Sequence, residues 1–304
     1  MTAACYTNLM SIRLPKIFLD SGDPEETRKA KGLLGTIDGQ TTNPSLVAKN
    51  PEVQKMLASG KKLTEAELFA FYKEVVGEIS RLLAGPVSVE VYADWKTTAA
   101  QMLKQAEDMA TWGINVYVKF PAVPEGLKAA NEFVKKGGKV NMTLVFDQVQ
   151  AAAVFAATQP GSFPSFVSPF IGRWDDRGYR GMDLVKNIIK MYKVFAKRAG
   201  EKRPHVQVLA ASIRTLDHYY ASIFMGADAM TVPLKILAAW VQKENWMPDE
   251  HYRMPSTGLK ALLFEQVPYS KDFSSYAIPH EAGNLLDEGL EKFVKDWKSL
   301  IKTK

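Results

Sequence analysis

Cysteine is nearly absent from this chain of 304 residues: Cys5 stands alone, so no disulfide can close within the chain, which fits a reducing compartment. Histidine is scarce as well. His205, His218, His251 and His280 show no metal-ligand spacing, and with one remote cysteine there is no zinc signature, so no metal site is expected. No stretch approaches the ~20 apolar residues of a membrane span, and the start, MTAACYTNLMSIRLPK, lacks the apolar core of a secretory signal. A cytoplasmic location with no membrane partner is the expectation. Charge of one sign is not gathered into blocks: 39 Lys and Arg are interspersed with 33 Asp and Glu, for a formal net charge of +6. Without a dense basic stripe, nucleic acid is not an expected partner. The GxSxG elbow and the GxxxxGK[ST] loop are both missing, which argues against α/β-hydrolase and P-loop chemistry.

What is present is an ordinary globular composition, 46% hydrophobic and 24% charged. It is arranged as short β-rich runs alternating with amphipathic helical stretches. The runs are Lys16–Asp20, Gly35–Asp38, Val87–Val91, Val116–Phe120, Val140–Phe146, Phe166–Ser168, Val206–Ala210 and Ala229–Thr231. Helix signals stand between them. Ser21-Gly-Asp-Pro-Glu-Glu offers a cap, an early proline and acids at the positive end of a helix dipole. Thr64 with Glu67 spells a capping box, and Leu68, Phe71, Val75, Val76, Ile79, Leu82 and Leu83 then step along one helical face. Pro124 opens a helix that Gly137-Gly138 closes, and Gly200 ends one that begins near Met182.

Strands separated by helices of this length pair in parallel, because a crossover must return the chain to the same end of the sheet. Eight such units point to a (β/α)8 TIM barrel over residues 16–245. An open doubly wound sheet is the competing fold, but it would show a Gly-rich phosphate turn after the first strand, and Ser21-Gly22-Asp23 is no such turn. Residues 246–304 break the pattern: two loop-like stretches, Pro248–Pro255 and Ser270–Pro279, precede an amphipathic helix carrying Leu285, Leu286, Leu290, Phe293, Val294, Trp297 and Ile301. This C-terminal extension is expected to cover the barrel or a neighbouring subunit, within a single domain spanning 1–304.

In such a barrel the active site lies at the C-terminal ends of the strands. Those ends carry Asp20, Asn43, Glu90, Lys119, Asn141 with Thr143, Ser168 with Arg173, and Ser212 with Arg214. Lys119 interrupts the apolar run Val116-Tyr-Val-Lys-Phe-Pro121, and strand alternation puts it on the face of Tyr117 and opposite Val118. Burial in a lumen favours the neutral amine, which attacks carbonyls. Taken alone, such a lysine is more simply a snorkelling side chain or the partner of Asp20 or Glu90 in a structural ion pair. Two carboxylates beside an amine also supply what Schiff-base aldol chemistry needs, a nucleophile and a proton shuttle. Arg173 and Arg214 follow the sixth and seventh runs, where barrels often hold phosphate. Each is equally readable as surface arginine, and Asp175 or Asp176 could hold Arg173 in a salt bridge.

The pieces FLDSGD (18–23), GQTTNPSL (39–46), VEV (89–91), VKFPAVPEGLKA (118–129), NMTLVF (141–146), SPFIGRWDD (168–176), ASIRT (211–215) and ADAMTVP (227–233) follow one another in the order seen in a known family. The chain resembles the transaldolases, and most of all the shorter bacterial members that shade into fructose-6-phosphate aldolase. The resemblance implies Lys119 as the Schiff-base lysine, Asp20 as the acid/base, and Glu90 with Thr143 as the pair that positions a catalytic water. It implies Asn43, Asn141 and Ser168 as holders of the dihydroxyacetone hydroxyls, and Arg173, Ser212 and Arg214 as binders of the substrate phosphate. Glu90 and Phe170 resemble the transaldolase branch, whereas the aldolase branch tends to carry Gln and Tyr there. The implied substrates are sugar phosphates of the pentose phosphate pathway, with no metal or organic cofactor. Phe120, Trp174, the Gln159–Pro164 stretch and the tail beyond 246 depart from the compact members, so the acceptor sugar and subunit number, a homo-oligomer included, are left open.

Overall fold

The computed structural model of the protein describes residues 13–60, 62–255, 258–281 and 283–302, so Cys5 lies outside the described residues. Eight parallel strands close on themselves in sequence order: β1 Lys16–Asp20, β2 Gly39–Thr41, β3 Val87–Glu90, β4 Val116–Pro121, β5 Val140–Val145, β6 Ser165–Pro169, β7 Val206–Ala210 and β8 Ala229–Val232, with β1 paired to β8. Between and after the strands run α1 Pro24–Leu34, α2 Pro44–Ala48, α3 Pro51–Ala58, α4 Glu65–Leu82, α5 Ala99–Met109, α6 Pro124–Lys135, α7 Gln148–Thr158, α8 Ile171–Asp176, α9 Met182–Ala199, α10 Leu216–Met225 and α11 Leu234–Gln242. The tail ends in α12 Leu285–Ser299. This is the (β/α)8 barrel with a C-terminal helical extension that the alternating pattern predicts.

Local signals explain the elements. The Thr64–Glu67 capping box opens α4, which buries Leu68, Tyr72, Val75, Val76 and Ile79 along one stripe. Asp23 caps α1 by accepting the Glu25 N–H. One expected strand is displaced: β2 begins at Gly39, not Gly35. Gly35, at φ 76°, closes α1 in the left-handed region, and Asp38 uses its carboxylate to accept the Ile17 N–H at 2.8 Å. The ladder therefore starts one residue after the predicted run ends.

Side chains alternate between two packing zones. Outward residues such as Leu19, Val89, Val118, Met142, Val167 and Val208 join the main core beneath the helices. Inward, Phe18, Phe166, Leu209 and Ala229 fill the lumen, with Tyr117 packed against them and the Phe18 and Phe166 rings 5.5 Å apart. Two residues further along the same strands stand Asp20, Lys119, Ser168 and Thr231. The apolar layer thus plugs the barrel and sets the polar layer at its C-terminal mouth.

The extension packs on its own barrel. The 262–276 segment straps α7, with Gln148 and Glu265 exchanging two hydrogen bonds at 2.8 and 2.6 Å. That cover explains why α7 is buried on nearly every face rather than amphipathic. α12 then crosses the mouth: Trp297 packs against Phe69 and Tyr72 of α4, Phe293 meets Phe170, and Leu63 exchanges backbone hydrogen bonds with Leu300 and Lys302 at 2.9 Å.

Candidate active site

The Lys119 side chain rises from β4 into the lumen and is only 3% exposed. Its ammonium donates to the Thr42 carbonyl at 3.1 Å and lies 2.9 Å from Glu90 Oε2, which faces it in register from β3. Apart from Lys119, no group among the described residues hydrogen-bonds Glu90 Oε2. Thr143 Oγ1, one pleat above Asn141, is buried with no hydrogen-bond partner among the described residues.

Asp20 stands across the lumen at the end of β1, where its Oδ1 accepts from the Thr41 hydroxyl at 2.8 Å. Thr41 is in turn 2.5 Å from the Thr231 hydroxyl of β8. Burial pushes the Asp20 carboxyl up, only partly offset by the Thr41 hydrogen bond and the positive charge of Lys119. Burial also pushes Glu90 up, against the pull of Lys119. A carboxyl raised in this way is a stronger proton acceptor than an ordinary one, as a proton shuttle requires.

Asn141 is fully buried and bridges two strands, donating to Ser88 Oγ at 3.1 Å and accepting from Ser168 Oγ at 2.8 Å. Asn43 caps α2, its Oδ1 accepting the Leu46 N–H at 2.9 Å, which leaves its amide NH2 for other acceptors. Asp20, Asn43, Lys119, Ser168, Phe170, Arg173 and Ser212 converge on one cleft of about 170 Å³ at the barrel mouth. Ser212 holds φ at 61°, the left-handed region that residues other than glycine seldom occupy, a strain typical of functional loops.

Arg214 departs from the expectation. It is exposed and turned into a two-point ion pair with Asp176, 2.9 Å at Nη2, and it is not among the cleft's lining residues. Arg214 holds the Asp176 carboxyl below the usual carboxylate range. Asp176 therefore pairs with Arg214 and not with Arg173, because α8 directs the Arg173 side chain to the cleft while the loop after β7 passes beside Gly172. Asp175 is engaged too, 2.6 Å from His218 Nε2, and His218 Nδ1 accepts the Arg214 N–H at 3.3 Å. The loop carrying Ser212 is thus braced against α8 from two directions.

Several contributors carry no obvious sequence signal. Tyr72 reads as one more apolar residue on the α4 stripe, yet its hydroxyl lies 2.6 Å from the Thr42 hydroxyl and accepts the Glu90 N–H at 3.0 Å. Lys49, Lys292 and Phe293 also line the cleft, the last two from the tail.

The family profile described as Transaldolase/Fructose-6-phosphate aldolase matches residues 17–304. A protein named probable transaldolase from Alkaliphilus metalliredigens is 33% identical over 94% of this chain and 100% of its own length. One so named from Dehalococcoides mccartyi is 40% identical over 75% of this chain and 90% of its own, and one from Herpetosiphon aurantiacus is 37% identical over 83% and 96%. Among solved structures, a phosphoenolpyruvate phosphomutase from Streptomyces platensis subsp. rosaceus aligns at 13% identity and a TM-score of 0.45, covering 76% of this chain and 80% of that one, a likeness too weak to argue from. With a buried strand-end lysine flanked by two carboxylates, and a family match running from β1 through α12, the chain belongs to the transaldolase/fructose-6-phosphate aldolase family.

Proposed function

We propose that the protein is a transaldolase that transfers a dihydroxyacetone unit from a ketose phosphate, fructose 6-phosphate or sedoheptulose 7-phosphate, to an aldose phosphate, in the pentose phosphate pathway of the cytoplasm. The observation that carries this reading is the placement of Lys119, nearly solvent-free at the mouth of the lumen, in ion contact with Glu90 and within the field of Asp20. The Lys119 amine attacks the C2 carbonyl, and loss of water gives a protonated imine. Asp20 removes the C4 hydroxyl proton, the C3–C4 bond breaks, and its electrons flow into the imine to leave an enamine on Lys119. The aldose phosphate departs. An acceptor aldehyde then recaptures the enamine with return of the proton from Asp20, and hydrolysis frees the new ketose.

In this scheme Glu90 Oε2, which meets Lys119 alone among the described residues, and Thr143 Oγ1, which has no hydrogen-bond partner among them, orient the water that leaves and returns. Asn43, Asn141 and Ser168 hold the hydroxyls of the three-carbon unit, Phe170 walls the cleft, and Arg173 with Ser212 receives the phosphate. Arg214 serves the phosphate only by exchanging Asp176 for it; otherwise it acts by fixing the loop. No step calls for a metal or an organic cofactor. The barrel and its extension act as one domain, joined by the strap over α7 and by α12.

Mixing fructose 6-phosphate with erythrose 4-phosphate tests the reading. Formation of sedoheptulose 7-phosphate and glyceraldehyde 3-phosphate, with negligible free dihydroxyacetone when acceptor is omitted, supports a transferase. Steady release of dihydroxyacetone without acceptor identifies an aldolase instead. Binding without either product identifies a silent sugar-phosphate-binding barrel.

A further inference from the structure

We infer that Lys49 and Lys292 form a second anion-binding edge of the cleft, through which the C-terminal extension helps select phosphorylated sugars. The inference rests on the transaldolase reading for its substrate but on the cleft's own charges for its location. The cleft's lining residues include four cations, Lys49, Lys119, Arg173 and Lys292, and one carboxylate, Asp20. Lys119 is committed to Glu90 and Thr42. Arg214, the other cation expected here, is held by Asp176 outside the lining. Positive charge at the entrance is therefore supplied by Arg173 on one wall and by Lys49 on the other, where Lys292 adds an ammonium shared with Asp296.

That opposite wall is built. Lys49 ends α2, is exposed, and makes no ion pair among the described residues. Lys292 comes from α12, 2.7 Å from Asp296. Asp296 also accepts from Ser45 on α2, so one carboxylate ties the tail helix to the helix that Lys49 terminates and sets the two ammoniums on a common rim. Phe293, buried beside Lys292, packs edge-to-face against Phe170 at 6.3 Å and fixes how far α12 reaches over the cleft. A dianionic phosphate entering between these walls meets cations on both sides, whereas an unphosphorylated sugar gains nothing from them.

The test uses the full chain with Lys49→Met, Lys292→Met and the double substitution, which keep the aliphatic stems and remove the charges. For the double variant the ratio of kcat/KM for fructose 6-phosphate to that for fructose is expected to fall roughly tenfold, the loss of two part-exposed charge contacts. Lys292→Arg should restore most of the single-variant loss. Equal losses on both sugars, or an unchanged ratio, overturn the inference. Inorganic phosphate provides a readout free of chemistry: it should raise the thermal midpoint of the wild-type chain, and the rise should shrink in the double variant. The same rise in both proteins overturns the anion edge. If the wild type forms no product but phosphate still distinguishes it from the double variant, the edge stands and the transferase reading falls.

Discussion

Tyr72, on the outer helix α4, reaches through the barrel wall to the backbone of Glu90, accepting its N–H at 3.0 Å. The same hydroxyl meets Thr42 at 2.6 Å, and Thr42 donates to the Ser88 carbonyl at 2.8 Å, so every group is satisfied when Tyr72 donates to Thr42. Thr42 and Glu90 are also the two partners of the Lys119 ammonium. One phenol behind the sheet therefore holds both groups that aim the lysine.

Replacing Tyr72 by Phe keeps the ring in its pocket against Trp112 and Trp297 but leaves the buried Glu90 N–H without an acceptor. The unfolding free energy is expected to drop by about 1–3 kcal/mol. The exchange rate should fall as well, because Glu90 and Thr42 lose their common tether. Denaturant unfolding with parallel kinetics checks both; full stability and full activity would show that the phenol holds nothing.

Asp20→Asn should separate stability from chemistry. Burial pushes Asp20 up, so the folded chain binds its proton more tightly than the unfolded chain does. The stability linked to that proton is complete below about pH 3.9, the unfolded value, and is lost as pH rises through the raised folded value. Asparagine keeps the Thr41 hydrogen bond without a buried charge. It is expected to stabilise the fold at pH 8 by about 1 kcal/mol, with the gain vanishing towards pH 4. Exchange should slow by about a thousandfold for want of a proton shuttle. A variant less stable than wild type at pH 8 contradicts the assignment.

Much of this architecture was legible in the chain. Phe18 before Asp20, Tyr117 before Lys119 and Phe166 before Ser168 repeat a strand rule, apolar plug then polar mouth, that needs no tertiary information. Lys119 alone looked structural, and it does make the ion pair that the bland reading expects; its neighbours at other strand ends changed its meaning. β2 starts later than its composition predicts because a helix cap and an Asp brace share the composition of a short strand. The turn of Arg214 to Asp176 and the reach of Tyr72 to Thr42 and Glu90 have no local signal, because which way a long side chain turns depends on partners far away in sequence. Lys292 reaches the cleft only because α12 crosses the mouth, which no local signal in the chain encodes.

Two glycines should answer oppositely to alanine. At Gly172 a methyl would sit 2.4 Å from Arg214 Nε and 2.7 Å from the Ser212 carbonyl oxygen, inside the braced loop. Gly172→Ala should cost about 1–3 kcal/mol through overpacking and raise the KM for fructose 6-phosphate. Gly32 lies in α1 with open space around the same position. Gly32→Ala should add about 0.5–1 kcal/mol and leave KM unchanged. Similar midpoints for the two variants in thermal melts would mean that the loop is not packed as described.

In the proposed reaction Lys119 carries the substrate covalently. Borohydride reduction in the presence of fructose 6-phosphate, followed by intact mass and peptide mapping, tests it most directly. A single stable adduct on Lys119 is expected, and none in Lys119→Met. An adduct on another lysine, or no adduct in a chain that still exchanges sugars, contradicts it.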